Sequence, residues 1–354
     1  MKNRTGYSSF TRFARFVLAA NLLVIVWGGY VRASGSGAGC GAHWPLCNGV
    51  FVPQDPKIET LIELGHRVTS GLALIAVVVL GVWTLRRYPR STPGRRGQRR
   101  LAWLAMIFIA GEAAIGAGIV LLKYVGENSS AARAVWMAGH LVNTFLLLAV
   151  LALLAERSRS SMPDENLSTQ EGRADLPLPG RRGWLERLSL AALLLTAITG
   201  AIAALGDTLF PASSLAQGLA MDLSPTAHFL IRLRALHPLV AIATGLSWLY
   251  LAQQVRQASR SDRFPDSPPA RRALTWAARV TGLVCLQFAI GLLTLVLLAP
   301  VALQLVHLAM ADLVWIAGVL LVEARRSLPG QPASARATTS LKRRMPTSMT
   351  SGVQ

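Results

Sequence analysis

Charged residues are scarce in this chain, at 15% of 354 positions, and several long stretches are nearly free of them. These stretches are apolar runs of about 20 residues, the length that a helix needs to cross a bilayer core of roughly 30 Å. The hydrophobic content of 52% agrees with that length. The sequence therefore predicts a polytopic membrane protein made of helices, because an open sheet leaves backbone groups unsatisfied in lipid.

The apolar runs predict eight transmembrane helices. The first follows a basic amino terminus, where a cleaved signal peptide is the alternative. No A-x-A-like cleavage site stands out after this run, so we expect it to remain as the first span. The predicted spans cover residues 13–33, 64–85, 101–122, 133–155, 185–206, 228–254, 273–298 and 301–323.

Acidic residues number 17 against 36 basic residues, which gives a formal net charge of +19. Such a charge could indicate nucleic-acid binding. The basic residues instead cluster at the termini and in alternate loops, such as residues 86–100. The positive-inside rule explains this pattern and predicts a multi-pass protein of the cell membrane with both termini in the cytoplasm. We therefore expect membrane lipid, and no nucleic acid, as a partner.

The two halves of the chain resemble each other in sequence. We therefore predict an all-α polytopic membrane protein whose eight transmembrane helices form two pseudo-symmetric four-helix bundles, related by an axis along the membrane normal. The aligned positions are Gly28-Gly29 with Thr199-Gly200, His66 with His237, Glu112 with Gln287, Gly116 with Gly291, and His140 with His307.

This duplication predicts two domains. The amino-terminal bundle covers residues 1–155 and the carboxy-terminal bundle covers residues 185–325. Residues 156–184 are rich in Arg, Ser, Pro and acidic residues and are predicted to be a cytoplasmic linker. Residues 326–354 are predicted to be a disordered cytoplasmic tail.

Four histidines lie in the early part of the even-numbered spans. The predicted topology puts all four within about 15 Å of the outer surface, at a rise of about 1.5 Å per residue. Ionisable residues inside a membrane are costly and usually functional. The pattern therefore predicts bis-histidine haem binding in each half, and the absence of a C-x-x-C-H motif excludes covalent attachment. The predicted iron ligands are His66, His140, His237 and His307.

An acidic residue stands beside one of these histidines only. Glu63 lies three residues before His66, on the same helix face, so its carboxylate can reach a ring bound there. A solvated interfacial acid is the alternative. The matching residue of the second half is interpreted as Arg232, so the asymmetry indicates a reactive site in the first half and an electron-carrying site in the second.

Four arginines near the outer ends of the spans are candidates for binding haem propionates, since guanidinium pairs with carboxylate in a forked geometry. Snorkelling to the interface is the alternative. These residues are Arg32, Arg67, Arg232 and Arg234.

Further predictions concern the cysteines and one more acid. Cys40 and Cys47, in the first outer loop, favour a disulfide over a zinc site, and both a structural and a redox role stay open. Cys285 is interpreted as a small buried hydrophobic residue. Glu112 is embedded in the third span, but Gln287 at the aligned position suggests packing or hydrogen bonding, so Glu112 is left outside the catalytic set.

Over about residues 13–323 the chain resembles the haem A synthase family of cytochrome oxidase assembly, in its bacterial form with a cysteine pair in the first outer loop, and the most specific motifs lie in the first half. The matching segments run from Gly29 to Gly37, from Cys40 through His43-Trp-Pro-Leu to Cys47, and from Glu63 to Arg67. Some family members carry a second cysteine pair in the other half, which this chain lacks.

The resemblance implies oxidation of the C8 methyl group of haem O to the formyl group of haem A. By it, His66 and His140 hold the substrate haem O, His237 and His307 hold a haem b cofactor, and Glu63 is the catalytic acid. A haem O synthase is implied as a possible substrate donor, a homo-oligomer is possible, and the electron acceptor stays unidentified. The main alternative is a di-haem cytochrome that takes electrons from quinol; a transporter would explain only the repeat.

Overall fold

The computed structural model describes residues 2–89, 96–160, 183–260 and 267–328. Within these ranges the chain forms α-helices, one short 3-10 turn and no strand longer than a single bridge. The helices are α1 (Lys2–Ala33), α2 (Ile58–Arg87), α3 (Arg96–Leu121), α4 (Ala131–Ser160), α5 (Trp184–Leu209), α6 (Leu215–Leu223), α7 (Phe229–Arg234), α8 (Leu236–Arg260), α9 (Pro268–Val296) and α10 (Val301–Arg326).

Eight helical segments in the described ranges are long and apolar enough to cross a membrane, as predicted. Several helices extend beyond the predicted spans, and two of the differences concern the region of the histidines. The second span begins at Ile58 rather than at residue 64, which places Glu63 inside the helix together with His66. The sixth consists of α7 and α8, separated only by Ala235, because the polar start of this segment forms its own short helix capped by His228.

Each half of the chain arranges four spans in a closed ring. In the first half α1 contacts α2 and α4, and α3 contacts the same two helices. In the second half α5 contacts α8 and α10, and α9 contacts the same two. The halves meet where α1 and α4 contact α5 and α10. This pattern is consistent with the predicted pair of four-helix bundles.

Large buried side chains concentrate toward one end of the spans, which we call the termini side because α1 begins and α10 ends there. In the first half Val17, Leu80 and Leu151 form this core, and in the second Trp248 and Leu321 do so. The opposite end, called the loop side, carries the segment between α1 and α2. The four predicted histidine ligands lie in the loop-side part of their helices, away from this core.

The predicted linker and tail fall largely outside the described residues. Helix α4 extends to Ser160 and α5 begins at Trp184, so the described chain reaches into both ends of the linker. Residues 161–182 and 329–354 lie outside the described ranges.

Candidate functional site

The four predicted ligands lie on helices that are diagonally opposite in their rings. His66 is on α2 and His140 on α4, with α1 and α3 between these helices. His237 and His307 stand in the same relation on α8 and α10. Two imidazoles from opposite corners can therefore meet across the interior of each bundle.

Each of these rings faces a glycine on the preceding span. A Cβ atom added to Gly28, Gly200 or Gly291 would approach the Cε1 atom of the facing histidine to 2.9, 3.0 and 3.1 Å respectively. At Gly116 the corresponding distance to His140 is 4.0 Å. Glycine therefore makes room for the ring at three of the four places. These residues marked the repeat in the sequence, but nothing in their spacing indicates that they face the histidines.

The geometry of the second pair fits two imidazoles on opposite sides of one metal ion. The ring centroids of His237 and His307 are 6.3 Å apart, and the ring planes are nearly perpendicular, at 88°. Two metal–nitrogen bonds of about 2 Å each account for most of that distance, and the ring radii for the remainder. The Thr199 hydroxyl contacts Nδ1 of His237 at 3.1 Å, which leaves Nε2 to bind a metal.

The donor atoms also fit a bound group. Nδ1 of His66 and of His307 is buried and makes no hydrogen bond within the described part of the chain, and Nδ1 of His140 has only the Glu112 carboxylate beside it, at 3.2 Å. Buried polar atoms normally have a partner, so an unsatisfied set in one region indicates a group that the protein alone does not supply. With the glycine clefts, the paired histidines could hold a non-covalent haem in each half.

Glu63 is buried, with only 3% of its surface exposed, so the alternative of a solvated interfacial acid is wrong. Its Oε1 atom accepts hydrogen bonds from Nε and Nη2 of Arg67, at 3.1 and 2.5 Å. Its Oε2 atom accepts the backbone N–H of Cys40 at 2.8 Å. Both oxygens are thus oriented by the protein.

The loop between α1 and α2 covers Glu63. Cys40 and Cys47 form the predicted disulfide, which excludes the zinc alternative for this pair. Arg67 donates from Nη1 to the carbonyl oxygens of His43 and Leu46, at 2.7 and 2.6 Å. Arg67, on α2, therefore binds both the disulfide loop and the carboxylate of Glu63, one turn earlier on the same helix.

Close packing also holds this loop on α2. A Cβ atom on Gly39 would lie 2.5 Å from the backbone of Glu59. The hydroxyl of Thr60 donates to the carbonyl oxygen of Gly39 at 2.8 Å. Only glycine allows this approach, so the loop meets α2 one turn before Glu63.

The arginines predicted to bind propionates occupy different environments. Arg32 is largely buried between the halves and donates to the Ala204 carbonyl, the Thr208 hydroxyl and the Gln304 side chain, at 2.8, 2.9 and 2.9 Å. Arg67 holds Glu63, as described above. Arg232 is exposed.

Arg234 forms ion pairs with Asp207 and Asp222, at 2.9 and 2.7 Å. Counted back from the histidines, Arg234 rather than Arg232 is the counterpart of Glu63, because it lies three residues before His237. The interpretation of Arg232 as that counterpart was wrong by two positions. The asymmetry itself is unchanged, since both residues are basic.

Cys285 does not behave as predicted, because it is exposed on α9 rather than buried. Helical spacing alone does not show which face of a span meets its neighbours. Glu112, left outside the catalytic set, lies beside a predicted ligand: its Oε2 atom is 3.2 Å from Nδ1 of His140. Gln287 contacts His307 in the second half, where its amide nitrogen is 3.2 Å from Nε2 of that ring.

The chain is similar to known proteins over most of its length. The family model described as cytochrome oxidase assembly protein, COX15-CtaA, matches residues 11–319. A Thermus thermophilus protein named protoheme IX farnesyltransferase is 42% identical over 316 residues, which are 89% of this chain and 48% of that protein.

Shorter matches reach proteins named heme A synthase. One from an Exiguobacterium species is 37% identical over 147 residues, covering 42% of this chain and 46% of that protein. One from Bacillus mycoides is 41% identical over 115 residues, covering 32% and 35%. The matches thus span about half, or less, of the length of these relatives.

Proposed function

This chain belongs to the family of cytochrome oxidase assembly proteins, and on that basis we propose that it is a haem A synthase, which oxidises the C8 methyl group of haem O to the formyl group of haem A. One observation carries the proposal: two histidine pairs occupy equivalent corners of two helix rings, and only the first has a buried carboxylate three residues before a ligand. A protein that only transferred electrons would have no use for that difference.

In the proposed reaction His66 and His140 hold the substrate haem O in the first half. Glu63 lies one helical turn from His66 and is the catalytic residue. Its carboxylate stabilises positive charge that develops at the methyl carbon, a role that needs no proton transfer to an oxygen already bound by Arg67 or Cys40. Arg67 and the disulfide loop keep the carboxylate in one orientation.

The second half is proposed to hold haem b between His237 and His307, and that cofactor supplies one-electron transfer when bound. His307 would hold that haem through Nε2 only if the Gln287 amide, now 3.2 Å from this nitrogen, moved away. Arg234 occupies the position of Glu63 in this half and forms ion pairs with two aspartates. The second half therefore has no carboxylate at that position.

Among the four arginines, Arg232 is the best candidate for a propionate ligand, because its exposed guanidinium lies little more than one helical turn before His237. Arg32, Arg67 and Arg234 already bind protein groups. A propionate would have to replace one of those partners at each of these three residues.

The chain is a multi-pass membrane protein, and we propose that it lies in the cell membrane with both termini in the cytoplasm. A haem O synthase is the proposed substrate donor. The name of the longer Thermus relative, protoheme IX farnesyltransferase, supports this link, since farnesylation of protohaem is the class of reaction that makes haem O. A homo-oligomer remains a prediction from the sequence.

The decisive experiment is mass analysis of haems extracted from cells that lack their own haem A synthase, are supplied with haem O and express this chain. Haem A or its hydroxylated precursor is the expected product. If protein with haem in both halves yields only haem B and unchanged haem O, the proposal is overturned in favour of a di-haem electron-transfer cytochrome.

A further inference from the structure

Glu112 reaches a predicted haem ligand from a neighbouring helix. It lies on α3, and its Oε2 atom is 3.2 Å from Nδ1 of His140 on α4. About a fifth of the Glu112 side chain is exposed, so solvent does little to satisfy this carboxylate. The contact leaves Nε2, the other nitrogen of the His140 ring, for iron.

Two side chains of α4 orient the Glu112 carboxylate. Asn143 donates from Nδ2 to Oε1 at 2.5 Å. The Thr144 hydroxyl lies 3.0 Å from Oε2 and 2.9 Å from the carbonyl oxygen of His140, and its one hydrogen can bind either oxygen. Asn143 also donates to the carbonyl oxygen of Phe108 at 2.8 Å. A Cβ atom on Gly111 would lie 2.8 Å from Oδ1 of Asn143, so glycine at that position permits the arrangement.

The second half keeps a polar side chain on the ligand ring, the Gln287 amide at 3.2 Å from Nε2 of His307, but it lacks the carboxylate and its donors. Gln287 aligns with Glu112, and Met310 and Ala311 stand three and four residues after His307, where the first half has Asn143 and Thr144. Oε1 of Gln287 is buried and makes no hydrogen bond within the described residues. The carboxylate and both of its donors are thus particular to the first half.

We propose that Glu112 is a positioning residue for the substrate haem, which accepts the Nδ1–H of His140 and thereby fixes the ring with Nε2 toward the iron. This inference rests on the proposed function. A carboxylate on the distal nitrogen of a ligating histidine orients the ring and makes it a stronger donor. A stronger donor favours oxidised iron, so the first haem has a lower reduction potential than it would have without Glu112.

The test is a potentiometric measurement on the purified full-length protein loaded with two haems. Removal of such a partner commonly changes a ligand equilibrium by tenfold or more. In Glu112→Gln we expect the one-electron reduction equilibrium of the first haem to shift tenfold toward the reduced form. This shift corresponds to a rise of about 59 mV in the midpoint potential. Glu112→Asp keeps the charge and should restore part of the shift. Gln287→Ala, on the matching span, should leave the first haem unchanged.

The outcomes separate this inference from the proposed function. Wild-type protein that binds no haem through His66 and His140 overturns the proposed function. Two bound haems whose potentials do not change in Glu112→Gln overturn the role of Glu112, even if the variant is less stable. If Glu112→Gln does not fold, the potential of the first haem is measured in Glu112→Asp instead. The inference expects a smaller rise there than the one expected for Glu112→Gln, so a potential equal to that of wild type contradicts it.

Discussion

The two halves place opposite charges at the same distance from a histidine. In the first half Glu63 precedes His66 by one turn, and Arg67 holds its carboxylate. In the second half Arg234 precedes His237 by one turn, and Asp207 and Asp222 hold its guanidinium. Both charges are neutralised by partners, but only the first half offers a carboxylate beside a ligand. The two rings of helices therefore place the predicted haem ligands alike, and the residues that differ beside those ligands distinguish the chemistry proposed for each half.

The loops above the two sites differ in the same sense. The first loop is closed by the disulfide and bound to α2 through Thr60 and Arg67. The second contains α6, whose Leu215, Leu219 and Leu223 are exposed on one face. In the first loop the backbone N–H of Cys40 donates to the Glu63 carboxylate and orients it. In the second loop the contact from α6 comes from a side chain instead, the Asp222 carboxylate that pairs with Arg234.

The largest expected effect comes from removing the acid that distinguishes the halves. Glu63→Ala should bind both haems but lose roughly 10²- to 10³-fold in the rate of haem A formation, the usual cost of removing one group that stabilises charge in the transition state. Extracted haems are quantified by mass analysis. Glu59→Ala, at an exposed acid one turn earlier on α2, is the matched control. An unaltered haem A yield in Glu63→Ala would remove Glu63 from the mechanism.

Breaking the ion pair from its other side should destabilise the first half. Arg67→Ala leaves a buried carboxylate without its partner, which costs about 3–5 kcal/mol of folding free energy. Arg232→Ala should stay within about 0.5 kcal/mol of wild type. Thermal unfolding in detergent measures both. Equal stability of the two variants would show that the Arg67–Glu63 contact contributes nothing.

Opening the disulfide should affect the first half only. Replacing Cys40 and Cys47 with Ser removes a short cross-linked loop, which costs about 2–3 kcal/mol in the chain-entropy model. Because Cys40 also holds Glu63, haem A formation should fall while the reduction potential of the second haem stays constant. A reductant added to wild type should reproduce the result. A change confined to the second haem would contradict this coupling.

The smallest effect is expected from the glycines that face the rings. Gly28→Ala places a Cβ atom 2.9 Å from His66, and Gly200→Ala places one 3.0 Å from His237. Overpacking of this kind costs about 1–3 kcal/mol. Each variant should lower haem occupancy in its own half. Gly71→Ala is the control, since a Cβ there meets nothing within 4 Å. Loss of haem from the opposite half would refute the assignment of these glycines.

The spans and the histidines were predictable because they follow from local spacing. Apolar runs indicated the spans, although the start of α2 was six residues earlier than expected. The Cys40–Cys47 disulfide was predicted from proximity in sequence. The partners of Arg32 were not predictable, because Ala204 and Gln304 lie 172 and 272 residues away along the chain. The exposure of Cys285 was also not predictable, because it depends on which face of α9 packs against the neighbouring helices.

The sequence by itself determined eight apolar helices and predicted a common depth for four histidines, because lipid forces backbone hydrogen bonds into each span and the helical rise is constant. Only the tertiary structure decided that Glu63 is buried beneath a loop and that Glu112 meets His140. Burial and side-chain pairing depend on which helices become neighbours and how each is rotated. The spacing of residues along one helix does not contain that information.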